Sequence, residues 1–209
     1  MESIKESVEV KGALEEIGID YEDLIDILIA GEVARDSCTN NNPRSSQGII
    51  SWSAAVRALR EKMIPKGWRR ELRDHLELTI SPDGKIAIYI LTGDERTANE
   101  KSVPSTLYPK GENHRAFVHI NGEQIPLFPL STAESFEASR KTWVLLRRRV
   151  GNAVVAELSL PLRMDKKGNI SSWSKRILLE TIQLDELPPQ PQNSDDHRDI
   201  EVQVVRRDK

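Results

Sequence analysis

Thr92-Gly93-Asp94, with Arg96 two residues on and Lys110 later in the same polar stretch, is the set of residues in this chain best suited to holding an anion. Glycine lets backbone N–H groups approach closely, hydroxyls donate hydrogen bonds, and Arg or Lys supplies charge. The GxxxxGK[ST] phosphate loop is absent. A second basic set is Arg147-Arg148-Arg149, where strand alternation puts Arg147 and Arg149 on one face and Arg148 on the other. Together with Lys166, Lys167, Arg69 and Arg70 from other turns, these arginines can neutralise phosphates. Trp68 and Trp143 stand near basic residues and either stack on bases or belong to the core.

Other chemistries fail on residue type. Metal-dependent nucleases place an Asp on one strand and an acid-x-Lys on the next. Here Arg96 stands where the Lys is needed, Asp83 belongs to a turn, and Arg does not give up a proton readily. His75, His114, His119 and His197 fall in no metal-ligand spacing, and one cysteine, Cys38, builds no cluster. Cys38 lies in an Asn/Ser-rich stretch without a positioned base, and GxSxG is missing. The expectation is no catalytic set, no metal and no cofactor.

The elements that position these residues follow from periodicity and turn chemistry. Apolar Val8, Val10, Leu14 and Ile17 predict a short helix over about 11–17 that Gly18 closes. Asp20 can cap a second helix with Tyr21, Leu24, Ile25 and Leu28 on one face. Glu22, Asp23 and Asp26 on that helix would repel phosphate, which argues against a helix-turn-helix. After the Asn/Ser/Pro-rich linker, Ser51 or Ser53 can cap a helix with Val56, Leu59 and Met63 as its stripe, stopped by Pro65 and Gly67.

Strands dominate from about residue 75. Asp83-Gly84 between HLELTIS and KIAIYIL predicts a hairpin with Ile80 facing Ala87, and a second strand apolar on both faces. Residues 92–115 read as a long polar loop, 116–128 as a hairpin at Asn121-Gly122, and 129–140 as a short helix. Gly151-Asn152 fits a type II′ turn that sets Val150 against Ala153 and Arg148 diagonal to Glu157. A turn at 165–169 and a last strand over 176–184 follow, and 201–207 alternates like an edge strand.

The fold class expected is α+β: a mostly antiparallel β-sheet built of hairpins with one packed helix, preceded by an acidic helical N-terminal segment. The organisation reads as an acidic segment over 1–35, a linker over 36–49, a main domain over 50–184 and a largely disordered tail over 185–209.

The 209 residues carry 30 Lys and Arg against 33 Asp and Glu, a net charge of −3 that hides a split. Residues 1–34 hold ten acids and two lysines, whereas 35–184 hold 24 basic and 16 acidic residues. Such segregation bears on partners. The acidic segment can dock a basic partner or cover the chain's own basic surface. The acidic start has no basic stretch followed by an apolar core, and no run approaches the ~20 apolar residues that span a bilayer, so a soluble cytoplasmic protein without membrane contact is expected. The functional expectation is a non-enzymatic binding or accessory protein whose basic main domain meets an acidic or anionic partner, with a protein as that partner. The alternatives are nucleic-acid binding through Arg147–Arg149, or an enzyme acting on a phosphate-containing substrate at the 92–111 loop.

Overall fold

Alternating apolar residues and Gly-centred turns build one sheet, and three helices with matching apolar stripes cover one of its faces. The computed structural model describes residues 1–73, 75–110 and 140–185, together with Arg115, Val118, His119 and Asn121. In chain order the elements are β1 (Glu2–Ile4), α1 (Ser7–Ile17), α2 (Tyr21–Asp36), α3 (Ser46–Met63), β2 (Arg69–Arg73), β3 (Leu76–Ile80), β4 (Ile86–Thr92), β5 (Lys141–Val150), β6 (Ala153–Met164), β7 (Ile170–Leu178) and β8 (Ile182–Gln183). A 3₁₀ turn at Ile64–Lys66 follows α3. The strand order is β1-β7-β6-β5-β4-β3-β2, with β8 also pairing β6.

The fold is α+β, and the sheet is mixed rather than antiparallel throughout. Both turn-defined hairpins keep the register their turn residues dictate: Ile80 faces Ala87, and Val150 faces Ala153 with Gly151 at φ 59°. Two pairs are parallel, β4 with β5 and β1 with β7. A parallel neighbour needs a crossover, and residues 93–140 supply it for β4 and β5. The expected single packed helix is three. α3 begins at Ser46, so Ser51 lies inside it, and the last long strand runs from Ile170 to Leu178, earlier than expected. Of the hairpin expected over 116–128, Val118, His119 and Asn121 are helical and the rest lies outside the described residues. Of the helix expected at 129–140 only Arg140 is described, and it is not helical; the tail beyond Asp185 lies outside the described residues.

The two sheet faces have separate cores. On one, Val10, Leu14 and Ile17 of α1, Leu24, Ile27 and Leu28 of α2, and Ala55, Leu59 and Met63 of α3 meet Ile88, Ile90, Leu145, Leu158 and Ile177. Trp68 and Trp143 are buried in this core. On the other, Leu78, Ile80, Tyr89, Leu91, Val144, Leu146 and Trp173 cluster with Val118 from the crossover. The acids of α2 pair with lysines at the end of α3: Lys62 with Asp23 and Asp26, and Lys66 with Asp20 and Asp23. Asp20 therefore serves Lys66 rather than capping its own helix. Burial tends to raise the Asp23 carboxyl, yet the Lys66 and Lys62 hydrogen bonds hold it below its ordinary value. Among the described residues no helix is long and apolar enough to cross a membrane.

The described part of the crossover is pinned to the second face by one buried ion pair. Arg176 and Glu157 are both 0% exposed. Arg176 grips the Glu157 carboxylate through Nε (3.1 Å) and Nη2 (2.5 Å), and donates onward to the carbonyls of Ser102 (2.9 Å) and Asn99 (3.2 Å). Glu157 also accepts from the Ala98 N–H and the Ser159 hydroxyl. Trp173 donates its indole N–H to the Pro104 carbonyl. The expected diagonal partner of Glu157 was Arg148. That residue sits nearer the hairpin end and instead lies 3.7 Å from Glu95, because the fully buried Arg176 occupies the competing diagonal on β7.

Candidate arginine cleft

At the carboxyl ends of the parallel neighbours β4 and β5, the sheet, the end of α2 and the start of α3 enclose a cleft of about 730 Å³. Its floor is Thr92 and Gly93. The Gly93 N–H donates to the Arg147 carbonyl (3.0 Å), and the chain returns beside it through Leu107, whose N–H donates to the Thr92 carbonyl (3.0 Å). Leu107 and the 64%-exposed Tyr108 thereby reach the cleft mouth. A Cβ on Gly93 would run into the Thr97 hydroxyl and come within 2.7 Å of Leu146 Cγ. Gly93→Ala is accordingly expected to cost about 2–3 kcal/mol by overpacking. Urea unfolding of the variant checks this, and an unchanged midpoint would show that the floor yields.

The walls are basic. Arg147 and Arg149 point toward the helices, as strand alternation requires. Arg147 is 6% exposed and donates from Nη1 to Glu32 Oε1 (3.1 Å) and to the Ser51 hydroxyl (2.7 Å). Its Nε has no hydrogen-bond partner. Burial draws the Arg147 guanidinium below its ordinary value, and Glu32 opposes that shift. Arg149 donates to Glu32 (3.3 Å) and to both carboxylate oxygens of Asp36 (3.0 and 2.9 Å). Gly31 of α2 lets this group form. A Cβ there would stand 3.0 Å from the Ser51 carbonyl and 3.4 Å from Arg147 Nη1, so the residue must be small for the helices to approach. Trp52 closes the wall on α3 and donates its indole N–H to the Ile90 carbonyl (3.3 Å).

Of the residues singled out in the sequence, the structure brings Thr92, Gly93, Arg147, Arg148 and Arg149 to this cleft. Asp94, Arg96 and Lys110 do not line it. Asp94 is buried and held by Arg96 through Nε (2.9 Å) and the Arg96 backbone N–H (3.1 Å), a self-contained pair. Lys110 lies beside the 165–169 turn, where its backbone N–H donates to the Gly168 carbonyl (2.7 Å) and burial holds its ammonium below the ordinary value. Asp83 hydrogen-bonds Ser81 and the Lys85 N–H within its turn.

Sequence reasoning missed the far wall. Arg35 comes from the last turn of α2, Arg44 from the turn before α3, and Gln47 and Gly48 from the first turn of α3. Arg44 has no ion-pair partner among the described residues. The signal was present as Arg35 and Arg44 flanking a short Asn/Ser-rich turn between two helices. The lining as a whole has five arginines and one carboxylate, Glu32, and no His, Cys or Lys among the described residues. Such a surface can attract and orient negative charge, while its only acid is held among the guanidinium groups of Arg147, Arg149 and Arg35. Comparison with protein-family models, curated proteins and solved structures finds no match to this chain.

Proposed function

We propose that this chain is a non-enzymatic binding protein for an anionic partner, engaged through the arginine cleft. The observation that carries the reading is the imbalance of the lining: five arginines against Glu32, gathered from α2, the turn before α3 and β5 at one open hollow. Arginine forks suit carboxylate and phosphate oxygens, and partly desolvated walls strengthen the attraction. Binding rather than catalysis is favoured by the lack of a free acid, base or nucleophile among the described lining residues. A nucleic-acid surface made of Arg147–Arg149 is disfavoured, since Arg147 is buried against Glu32 and Arg149 is engaged by Glu32 and Asp36.

The test is calorimetric titration with a decaglutamate peptide and with sodium phosphate at low salt. Either anion is expected to bind and to weaken steeply as salt rises. Arg44→Ala should lower the affinity about tenfold, roughly the contribution of one charged hydrogen bond near a surface. Arg70→Ala, on the edge strand β2 away from the cleft, should leave it unchanged. Equal loss from the two variants, or no binding of either anion, would overturn the reading.

A further inference from the structure

We propose that two copies of this chain join through the outer edge of β2, strand against antiparallel strand about a two-fold axis at Leu72, to make one continuous sheet. The β2 edge contributes no residue to the arginine cleft, so this pairing is independent of what the cleft binds.

Among the described residues β2 ends the sheet, with β3 as its neighbour on the inner side. Hydrogen-bond alternation settles which of its backbone groups look outward. The Ser81 N–H, just past the end of β3, donates to the carbonyl of Ile86 at the start of β4 (2.9 Å). Successive residues of an antiparallel ladder turn to opposite edges, so Thr79 turns to β4, while Ile80 and Leu78 turn to β2. Their partners Arg69 and Glu71 turn inward to meet them. The N–H and C=O groups of Arg70 and Leu72 are thereby directed away from the sheet. Leu72 is 67% exposed, and Arg69, Arg70 and Arg73 around it are exposed as well. An open strand edge with an apolar residue at its centre is a template for another strand.

The charges choose the occupant. The sequence Arg-Glu-Leu-Arg-Asp over 70–74, laid antiparallel on its own copy, sets leucine against leucine and each acid against an arginine. Within β2 itself, Glu71 of each copy faces Arg73 of the other, and the outward groups of the two Leu72 residues meet at the axis. Arg140 already steadies Glu71 on that face (3.2 Å). Unlike charges directly opposite on paired strands are favourable, and like charges are not. Centring the pair on Glu71 instead would set Glu71 against itself and Arg69 against Arg73, so the charges fix one register as well as one partner. A two-fold axis normal to the sheet keeps the helices of both copies on one side. There a groove of about 580 Å³ runs between α3 and β2, lined by Val56, Ile64, Pro65, Arg70 and Glu77. Leu72 pairs with Glu77 and shares this face, and Ile64 is 47% exposed. The two grooves therefore meet across the joint, the same patch serving both copies. The paired edge is short and its charges stay wet, which makes the dimer weak and concentration-dependent.

Sedimentation velocity of the full chain at low salt, over a series of concentrations, reads the assembly. The mass should rise from 23.7 kDa toward twice that value as concentration increases. Leu72→Pro is the decisive variant. Its ring removes an outward N–H and spares the β2–β3 ladder, a position where an edge strand tolerates proline. It should keep the melting temperature of dilute wild-type protein and remain a monomer at every concentration. Arg73→Glu, which sets acid against acid, should lose the dimer too. Cross-linking reads the register without relying on either variant. In a Cys38→Ser background, Leu72→Cys should give a disulfide-linked dimer under mild oxidation, since facing residues of a hydrogen-bonded pair have Cα atoms about 5.5 Å apart. Arg70→Cys should not, because the two copies of that position would stand about 14 Å apart along the strands. A wild-type monomer at every concentration, a dimer that survives Leu72→Pro or Arg73→Glu, or cross-linking through position 70 as readily as through position 72 overturns the inference.

Discussion

Replacing Arg176 by methionine is expected to destabilise the protein by about 3–5 kcal/mol, the cost of leaving a buried charge without its partner. Glu157 would then keep only the Ala98 N–H and the Ser159 hydroxyl, and the carbonyls of Ser102 and Asn99 would lose their donor. Arg176→Lys should cost less, since it keeps the charge and loses the fork. The double replacement Arg176→Met with Glu157→Leu should recover much of the loss, because removing both members of a buried pair also removes the desolvation penalty. Urea unfolding of the three variants orders them. Limited proteolysis should also show faster cleavage within 94–106 in Arg176→Met, since this pair fastens that stretch to the sheet. A loss below about 1 kcal/mol in Arg176→Met would show that the crossover is held by other contacts.

The second large effect concerns Glu32, where stability and ligand affinity should move in opposite directions. Glu32 is 2% exposed and meets Arg147, Arg149 and Arg35. Glu32→Gln leaves Arg147 buried without a counter-charge and should lower stability by about 3–4 kcal/mol. The same change removes the single carboxylate of the cleft, so anions should bind more tightly. Thermal melts in increasing sodium phosphate check both halves. The variant should start lower and begin to gain stability at a lower phosphate concentration than wild type, as expected when a ligand binds only the folded state more tightly. The same onset concentration in both proteins would mean that Glu32 acts in packing and does not oppose anions.

Local signals account for what the sequence made legible. Asp83-Gly84 and Gly151-Asn152 specify their turns and so the registers on either side, and both registers match. What escaped was non-local or atypical. β2 reads Arg-Arg-Glu-Leu-Arg, a charged edge strand without apolar alternation. β1 has three residues and a parallel partner far along the chain, and the β4–β5 pairing depends on where a long crossover returns. The site divided in the same way. Arg147, Arg149 and Gly93 were visible because a strand period and a glycine define their directions. Arg35 and Arg44 were hidden by averaging, since each falls in a stretch whose overall character is acidic or linker-like. Asp94 and Arg96 were plausible ligand residues until their mutual pair showed that they satisfy one another.

The parallel pairing of β1 with β7 sets an order of events during synthesis. Glu2, Ser3 and Ile4 lie against Lys175, Arg176 and Ile177, so about 170 residues must be made before the first strand can be placed. At roughly 5–20 residues per second, that is a wait of about 10–35 s. Through it, Val10, Leu14 and Ile17 of α1 can rest on α2 but not on the strand that completes their burial. Residues 2–17 are thus made long before the strand that fastens them, and a nascent chain halted before Ile170 presents α1 as an exposed apolar helix to whatever attends its folding.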